Sequence, residues 1–160
     1  MFLGCASGWS GLIHTGQCYK HIQTNTTWTE ARKLCQNLSP SADLASIPDK
    51  ITNDFLTNLA SSKFWTGGFK NVWENGEYAW VNGDKWTGYT AWAKGEPNGY
   101  RVLYKAKKMC IEVHTKSSGS WRPGLWNDAT FTDKLGAMCQ YKNPRQGKQA
   151  SFLYKQDEVF

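Results

Sequence analysis

The sequence predicts an α+β fold: two helices followed by short antiparallel strands wrapped around a long irregular loop. Three observations predict it. Apolar residues recur at helical spacing in two segments between residues 27 and 60. Beyond residue 60 the apolar residues fall into short aromatic and β-branched runs closed by Gly, Asn or Asp. Residues 82–108 carry glycines at 83, 88, 95 and 99, one proline and little apolar periodicity, the pattern of a long functional loop.

The first helix is predicted over residues 27–38. Thr27-Trp28-Thr29-Glu30 is a capping box, in which the Thr hydroxyl takes the N3 amide and Glu30 reaches back to the Thr27 amide. Trp28, Ala31, Leu34, Cys35 and Leu38 then share one face. A second helix is predicted over residues 49–60, with Asp49 as N-cap, Pro48 just ahead of it, and Ile51, Phe55 and Leu59 as its apolar stripe. Residues 64–68 read as a strand ending in Gly67-Gly68. Residues 77–81 read as another, closed by Asn82-Gly83-Asp84. Residues 109–113, 125–127 and 137–141 are three further short strands. The domain is expected to span residues 1–142, with residues 143–160 a polar, basic and mobile tail.

The chain has 160 residues, enough for one domain. Its 9 Trp, 7 Tyr and 7 Phe exclude a disordered chain, and no apolar run approaches the length of a transmembrane helix. The net charge of +6 is modest. Short basic clusters of this kind are ordinarily solvated surface, and no nucleic-acid-binding motif accompanies them. The sequence also lacks G-x-S-x-G, H-E-x-x-H, a P-loop and any C-x-x-C, and His14, His21 and His114 are scattered. A binding protein rather than an enzyme is the expectation.

Five cysteines are present, Cys5, Cys18, Cys35, Cys110 and Cys139. Together with the glycosylation sequons at Asn25 and Asn37 they point to an oxidising, secretory route and a secreted or extracellular protein. The opening Met1-Phe2-Leu3-Gly4-Cys5 lacks the basic region and apolar length of a signal peptide.

Several segments, in order, resemble the C-type lectin-like domain family. Cys5, Gly8-Trp9 and Cys18-Tyr19-Lys20 are similar to the N-terminal hairpin of its long form. Trp28-Thr29-Glu30-Ala31-Arg32-Lys33-Leu34-Cys35 resembles its first helix, and Leu44-Ala45-Ser46-Ile47 the link to the second. Trp65-Thr66-Gly67-Gly68 resembles its core strand. Glu96-Pro97-Asn98 and Trp126-Asn127-Asp128 resemble its two calcium-and-sugar motifs. The resemblance implies the family's fold and the bridges Cys5–Cys18 and Cys35–Cys139. In the chain-entropy picture, a bridge of the second kind removes about 4–5 kcal/mol of unfolded-state freedom. The family's usual partner for Cys110 would stand at Phe131 here. Cys110 is then either a buried inert thiol or the site of a disulfide-linked dimer.

The resemblance further implies a carbohydrate-binding module that holds Ca²⁺ and sugar through Glu96, Asn98, Asn127 and Asp128, with mannose-type specificity from the Glu-Pro-Asn order. Those four side chains offer hard oxygen donors suited to Ca²⁺. Taken by itself, Glu96-Pro97-Asn98-Gly99 is also an ordinary turn sequence. The chain departs from the family in ways that predict weak Ca²⁺ binding. Lys108 stands where another acidic ligand is expected, Gly99 replaces an acid of an auxiliary site, and residues 97–109 contain no acid at all. Glu112 or a backbone carbonyl is the conceivable substitute. The alternative is a calcium-independent module that takes a protein or a sulfated glycan on the basic stretch 100–108, through Tyr100, Arg101, Tyr104, Lys105, Lys107 and Lys108. Either way the expected partner is a glycan, glycoprotein or protein ligand, with no nucleic acid and no membrane span.

Overall fold

A computed structural model describes residues 4–38, 41–71, 76–99 and 108–143. The order along the chain is β1 (Ser10–Leu12), β2 (Gln17–Thr26), α1 (Trp28–Leu38), β3 (Asp43–Leu44), α2 (Lys50–Leu59), β4 (Phe64–Asn71), β5 (Tyr78–Trp80), β6 (Lys108–Val113), β7 (Trp126–Thr130) and β8 (Leu135–Lys142). The eight strands form one sheet with the path β1-β2-β8-β4-β6-β7, from which β3 branches at β8 and β5 at β4. All pairings are antiparallel except β4 with β8. The class is therefore α+β, as the two periodicities predict. The basic stretch at 100–107 and residues 144–160 of the expected tail lie outside the described residues, and Lys108 opens β6; Asn143, expected to begin that tail, is instead 3% exposed and its amide donates to the Gly16 carbonyl at 3.2 Å.

Both bridges expected from the resemblance are formed. Cys5–Cys18 has a Cα separation of 5.8 Å and staples the N-terminal segment to β2. Cys35–Cys139 has one of 5.3 Å and joins α1 to β8 across 104 residues. Cys110 lies in neither and is 0% exposed. Of its two alternatives the buried thiol fits, because a sulfur enclosed in the core offers nothing to a second chain.

The capping box closes as the sequence requires. The Thr27 amide donates to Glu30 at 2.9 Å and the Glu30 amide to Thr27 Oγ1 at 3.4 Å. On α1, Trp28, Ala31 and Cys35 are buried, and the Trp28 indole donates to the Thr66 carbonyl at 2.8 Å. Leu38 belongs to the predicted face but is 44% exposed, since the helix ends as it leaves the sheet. Asp49 caps α2 by accepting from the Thr52 amide.

The predicted stripe of α2 is wrong by part of a turn. Ile51 is 55% exposed, whereas Thr52, Asn53, Leu56 and Thr57 are buried and Phe55 and Leu59 only partly so. Polar tertiary bonds set this rotation. Asn53 donates to the Gly124 carbonyl at 2.9 Å and accepts from the Trp126 indole at 2.8 Å, which turns the Asn53 face inward. Buried polar groups must be satisfied, and here that requirement overrides apolar periodicity.

Strand β4 also runs past its predicted end. Gly67 and Gly68 lie inside it and let neighbours approach closely. A Cβ at Gly67 would stand 2.9 Å from the Leu44 carbonyl oxygen, and one at Gly68 would stand 2.5 Å from Ile111 Cδ1. Glycine within a strand here marks close packing and not an end. Two contiguous clusters form the core. One contains Tyr19, Ile47, Leu56, Phe64, Ile111 and Trp126, and the other Trp28, Leu44, Trp65, Cys110 and Ala137.

Gly68→Ala should therefore cost about 1–3 kcal/mol in urea unfolding, the usual range for overpacking. Ile111→Val in the same chain should recover part of that cost, giving a non-additive double-mutant cycle. Simple additivity would show that the two positions do not press on each other.

Candidate functional site

Trp126 builds the frame of the site. Its backbone N–H donates to the Ala91 carbonyl at 2.7 Å, and its carbonyl accepts from the Ala93 amide at 3.0 Å, so β7 holds the loop as a parallel bridge at Trp92. Its indole is 0% exposed and meets the rings of Trp80, Trp86, Tyr89 and Trp92 edge-on, at centroid distances of 5.6 to 6.4 Å. Edge-to-face packing of this kind is favoured by the ring quadrupoles. The loop that composition marks as functional is thus pinned to the core just ahead of Glu96.

Glu96, Asn98 and Asp128 are brought together. The Glu96–Pro97 peptide is cis. Glu96 Oε2 accepts from the Asn98 amide and Oε1 from the Asn98 side-chain amide, both at 3.0 Å. Asp128, on β7 and 2% exposed, accepts from the Asn98 amide at 3.1 Å, the Gly99 amide at 3.0 Å and the Tyr78 hydroxyl at 3.3 Å. Two residues of a turn are therefore fastened to a strand some thirty positions away. Burial, followed by contact with the Asp128 carboxyl, pushes the Glu96 carboxyl above its ordinary value, even though the Asn98 amide pulls the other way. Burial and then the neighbouring Asp128 charge push the Tyr78 phenol far up, so it stays a hydrogen-bond donor to that carboxylate.

Asn127 is engaged differently. Neighbouring strand residues face opposite sides. The Asn127 side-chain amide donates to Glu112 Oε1 at 2.9 Å, in register across β6 and β7. Glu112 is 4% exposed and also takes the His114 ring at 3.0 Å and Lys63 Nζ at 3.6 Å. Burial raises the Glu112 carboxyl, but the bonds from His114 and Asn127 and the charge of Lys63 outweigh it and hold the group below the ordinary carboxylate range. Glu112, the conceivable substitute ligand, is thus committed to a cation, a ring nitrogen and an amide. Among the described residues no group of three or more His, Cys, Asp and Glu side chains is placed to hold a metal.

Sequence reasoning missed the roles of Tyr78, Lys63 and His114. Tyr78 stands in a recognisable strand, but nothing local says that its hydroxyl meets Asp128. Glu112 in β6 and His114 just past its end, at i and i+2, are a legible same-face pair, and that spacing is the available signal. Both sequon asparagines, Asn25 and Asn37, are exposed.

The comparisons decide the family. The family model "Lectin C-type domain" matches residues 24–141. The chain belongs to the C-type lectin domain family. A "Lectin" of Pleurodeles waltl is 32% identical over 146 residues, covering 88% of this chain and 77% of that protein. The solved C-type lectin CEL-I of Cucumaria echinata superposes with a TM-score of 0.71 at 24% identity, covering 88% of this chain and 99% of its own. A calcium-independent type II antifreeze protein does so with a TM-score of 0.71 at 21% identity, covering 89% and 97%. The two structures share the fold, and the family makes this chain a lectin-like carbohydrate-binding domain. No helix among the described residues is long and apolar enough to cross a membrane.

The Glu112 arrangement has a pH consequence. A carboxyl held below its unfolded value adds stability that is fully present above the ordinary value near 4.5, and that stability is lost as pH falls through the folded value. Glu112→Gln should lower stability at pH 7 and flatten the loss below pH 4.5, as read by urea unfolding at both ends of that window. An unchanged acid slope would remove Glu112 as its source.

Proposed function

We propose that this domain is a sugar-binding lectin whose Ca²⁺ site, at Glu96, Asn98 and Asp128 with Asn127 recruited from its bond to Glu112, is weak. The observation that carries this reading is the meeting of the Glu96 and Asp128 carboxyls with no cation side chain between them among the described residues; burial and then that contact leave Glu96 reluctant to ionise. A hard divalent ion with oxygen ligands would relieve that repulsion, so the donor set fits Ca²⁺. When bound, Ca²⁺ would offer open coordination positions to two vicinal hydroxyls of a sugar. The carboxylates of Glu96 and Asp128 would accept from those hydroxyls, and the Asn98 amide would donate to them, joined by the Asn127 amide once it leaves Glu112. Tyr78 and the Gly99 amide keep Asp128 aimed at the site. The Glu-Pro-Asn order supports mannose-type specificity through the family resemblance. The domain acts by binding alone, without catalysis. The two disulfides support a secreted protein with a glycan or glycoprotein partner.

A specific observation favours a second reading. Every oxygen of Glu96 and Asp128 already accepts a hydrogen bond from within the chain, so the turn can close without a metal. The domain would then be calcium-independent and bind a protein or sulfated glycan through Tyr100, Arg101, Tyr104, Lys105, Lys107 and Lys108.

Calcium titration separates the readings. The first expects a dissociation constant at or above roughly 10⁻³ M, because two carboxylates serve where fuller sets reach about 10⁻⁴–10⁻³ M. Asp128→Ala should abolish the calcium-induced rise in melting temperature, and Lys108→Glu should enlarge it. Affinity should also weaken as pH falls through the raised Glu96 value, since the ion needs the ionised form. Micromolar binding by the unaltered chain would mean that another oxygen donor completes the site. No calcium effect even in Lys108→Glu would leave the second reading as the account.

A further inference from the structure

A cleft opens beside Lys63 and His114, which both contact Glu112. It has a volume of about 600 Å³, and its walls include Asn25, Lys63, His114, Lys116, Trp121 and Lys134. These residues come from the ends of β2, β6 and β8, the start of β4 and the loop before β7, so only the folded sheet assembles them. Among the described residues three lysines enter the wall and no carboxylate does. The buried Glu112 behind it holds Lys63 at 3.6 Å and the His114 ring at 3.0 Å. That leaves Lys116 and Lys134, both exposed, as the charges offered outward; the exposed Glu30 carboxyl is close enough to feel Lys134.

The cleft also has a built aromatic wall. The Trp121 indole stacks on the His114 ring at a centroid distance of 3.8 Å and an interplanar angle of 11°. His114 is itself fastened to Glu112, so the stack is braced from the sheet outward. Reciprocal backbone bonds between Ser118 and Trp121, at 2.9 and 3.2 Å, close the turn that carries the indole, and Arg122 ties the same turn by donating to the Gly119 and Trp121 carbonyls at 2.8 Å. The Thr115 hydroxyl, also in the wall, is buried and has no partner among the described residues.

We propose that this cleft is a calcium-independent subsite for a sulfated saccharide. A pyranose presents an apolar ring face and a rim of hydroxyls. Trp121 offers an aromatic surface to the first, and the exposed Ser118 in the same wall offers a polar group to the second. Lys116 and Lys134 supply charge-assisted bonds for sulfate oxygens, which accept without donating. The volume suits a few sugar rings and falls in the usual range for small-ligand clefts. The site is separate from the Glu96–Asp128 turn and shares no residue with the stretch 100–108. Its ligand needs neither Ca²⁺ nor a particular diol geometry.

The test is calorimetry with a heparin-derived hexasaccharide in chelator, on protein produced without N-linked glycans because Asn25 lies in the wall. The hexasaccharide should bind and its unsulfated counterpart should not. Lys116→Ala with Lys134→Ala should weaken binding about tenfold or more without changing the melting temperature. Trp121→Ala should weaken it several-fold, with Trp121→Phe retaining most of the affinity. Binding should weaken as salt rises. The proposal is overturned by no binding, by full affinity in the double lysine variant, or by a loss confined to a Lys105, Lys107 and Lys108 triple alanine variant. Equally tight binding of a single-stranded oligonucleotide of matched charge would also overturn it, in favour of a general polyanion surface. Chelator keeps the outcome independent of the Glu96–Asp128 site.

Discussion

The hydrogen bond from the Trp126 indole to Asn53 ties the second helix to the frame of the site. It sits in the core at 2.8 Å and joins α2 to β7. Because Asn53 also holds the Gly124 carbonyl, the helix and the strand entrance are set together. The backbone of the same tryptophan carries the loop through Ala91 and Ala93. Buried polar groups left unpaired cost more than an apolar substitution in their place, so such a bond specifies geometry as much as it stabilises. The turn at Glu96 inherits its position from this one residue.

Two neighbouring residues of β7 then divide the chemistry of the surface. Asp128 turns toward Tyr78 and the Glu96 turn, whereas Asn127 bonds Glu112. On the Asp128 side, carboxyl meets carboxyl and ionisation of Glu96 is disfavoured. On the Asn127 side, Glu112 is surrounded by an amide, a ring nitrogen and an ammonium and stays ionised. The pleat of one strand thus separates an electron-rich corner that suits a cation from a cation-rich cleft that suits an anion. One departure from the family motif, Gly99, falls on the first side, where its amide donates to Asp128.

The sheet supports both sides through close approach of its backbone. Gly67 and Gly68 bring β4 against Leu44 and Ile111, and the Cys35–Cys139 bridge holds α1 to β8 on the far side of the same sheet. With β4 fixed, β6 is fixed, and Glu112 and His114 follow from its register with Asn127 and the chain beyond. Rigid elements therefore place both candidate sites, which is what a binding surface needs if its groups are to meet a ligand without reordering.

By itself, the sequence determined the class, the helices with their caps, most strand centres and the members of the Glu96-Pro97-Asn98 and Trp126-Asn127-Asp128 motifs. These are local properties: a capping box, a turn residue or an alternating run acts within a few positions, so its signal is written in neighbouring residues. The tertiary structure alone decided which face of α2 is buried, because Asn53 answers to Trp126, 73 positions away. It decided that Gly67-Gly68 is packing and not an end, because the atoms they admit belong to Leu44 and Ile111. It also decided that Glu112 serves Lys63, His114 and Asn127, and that lysines 63, 116 and 134 share one wall. Those outcomes depend on distances through space between residues far apart in the chain, and no local pattern encodes a distance of that kind.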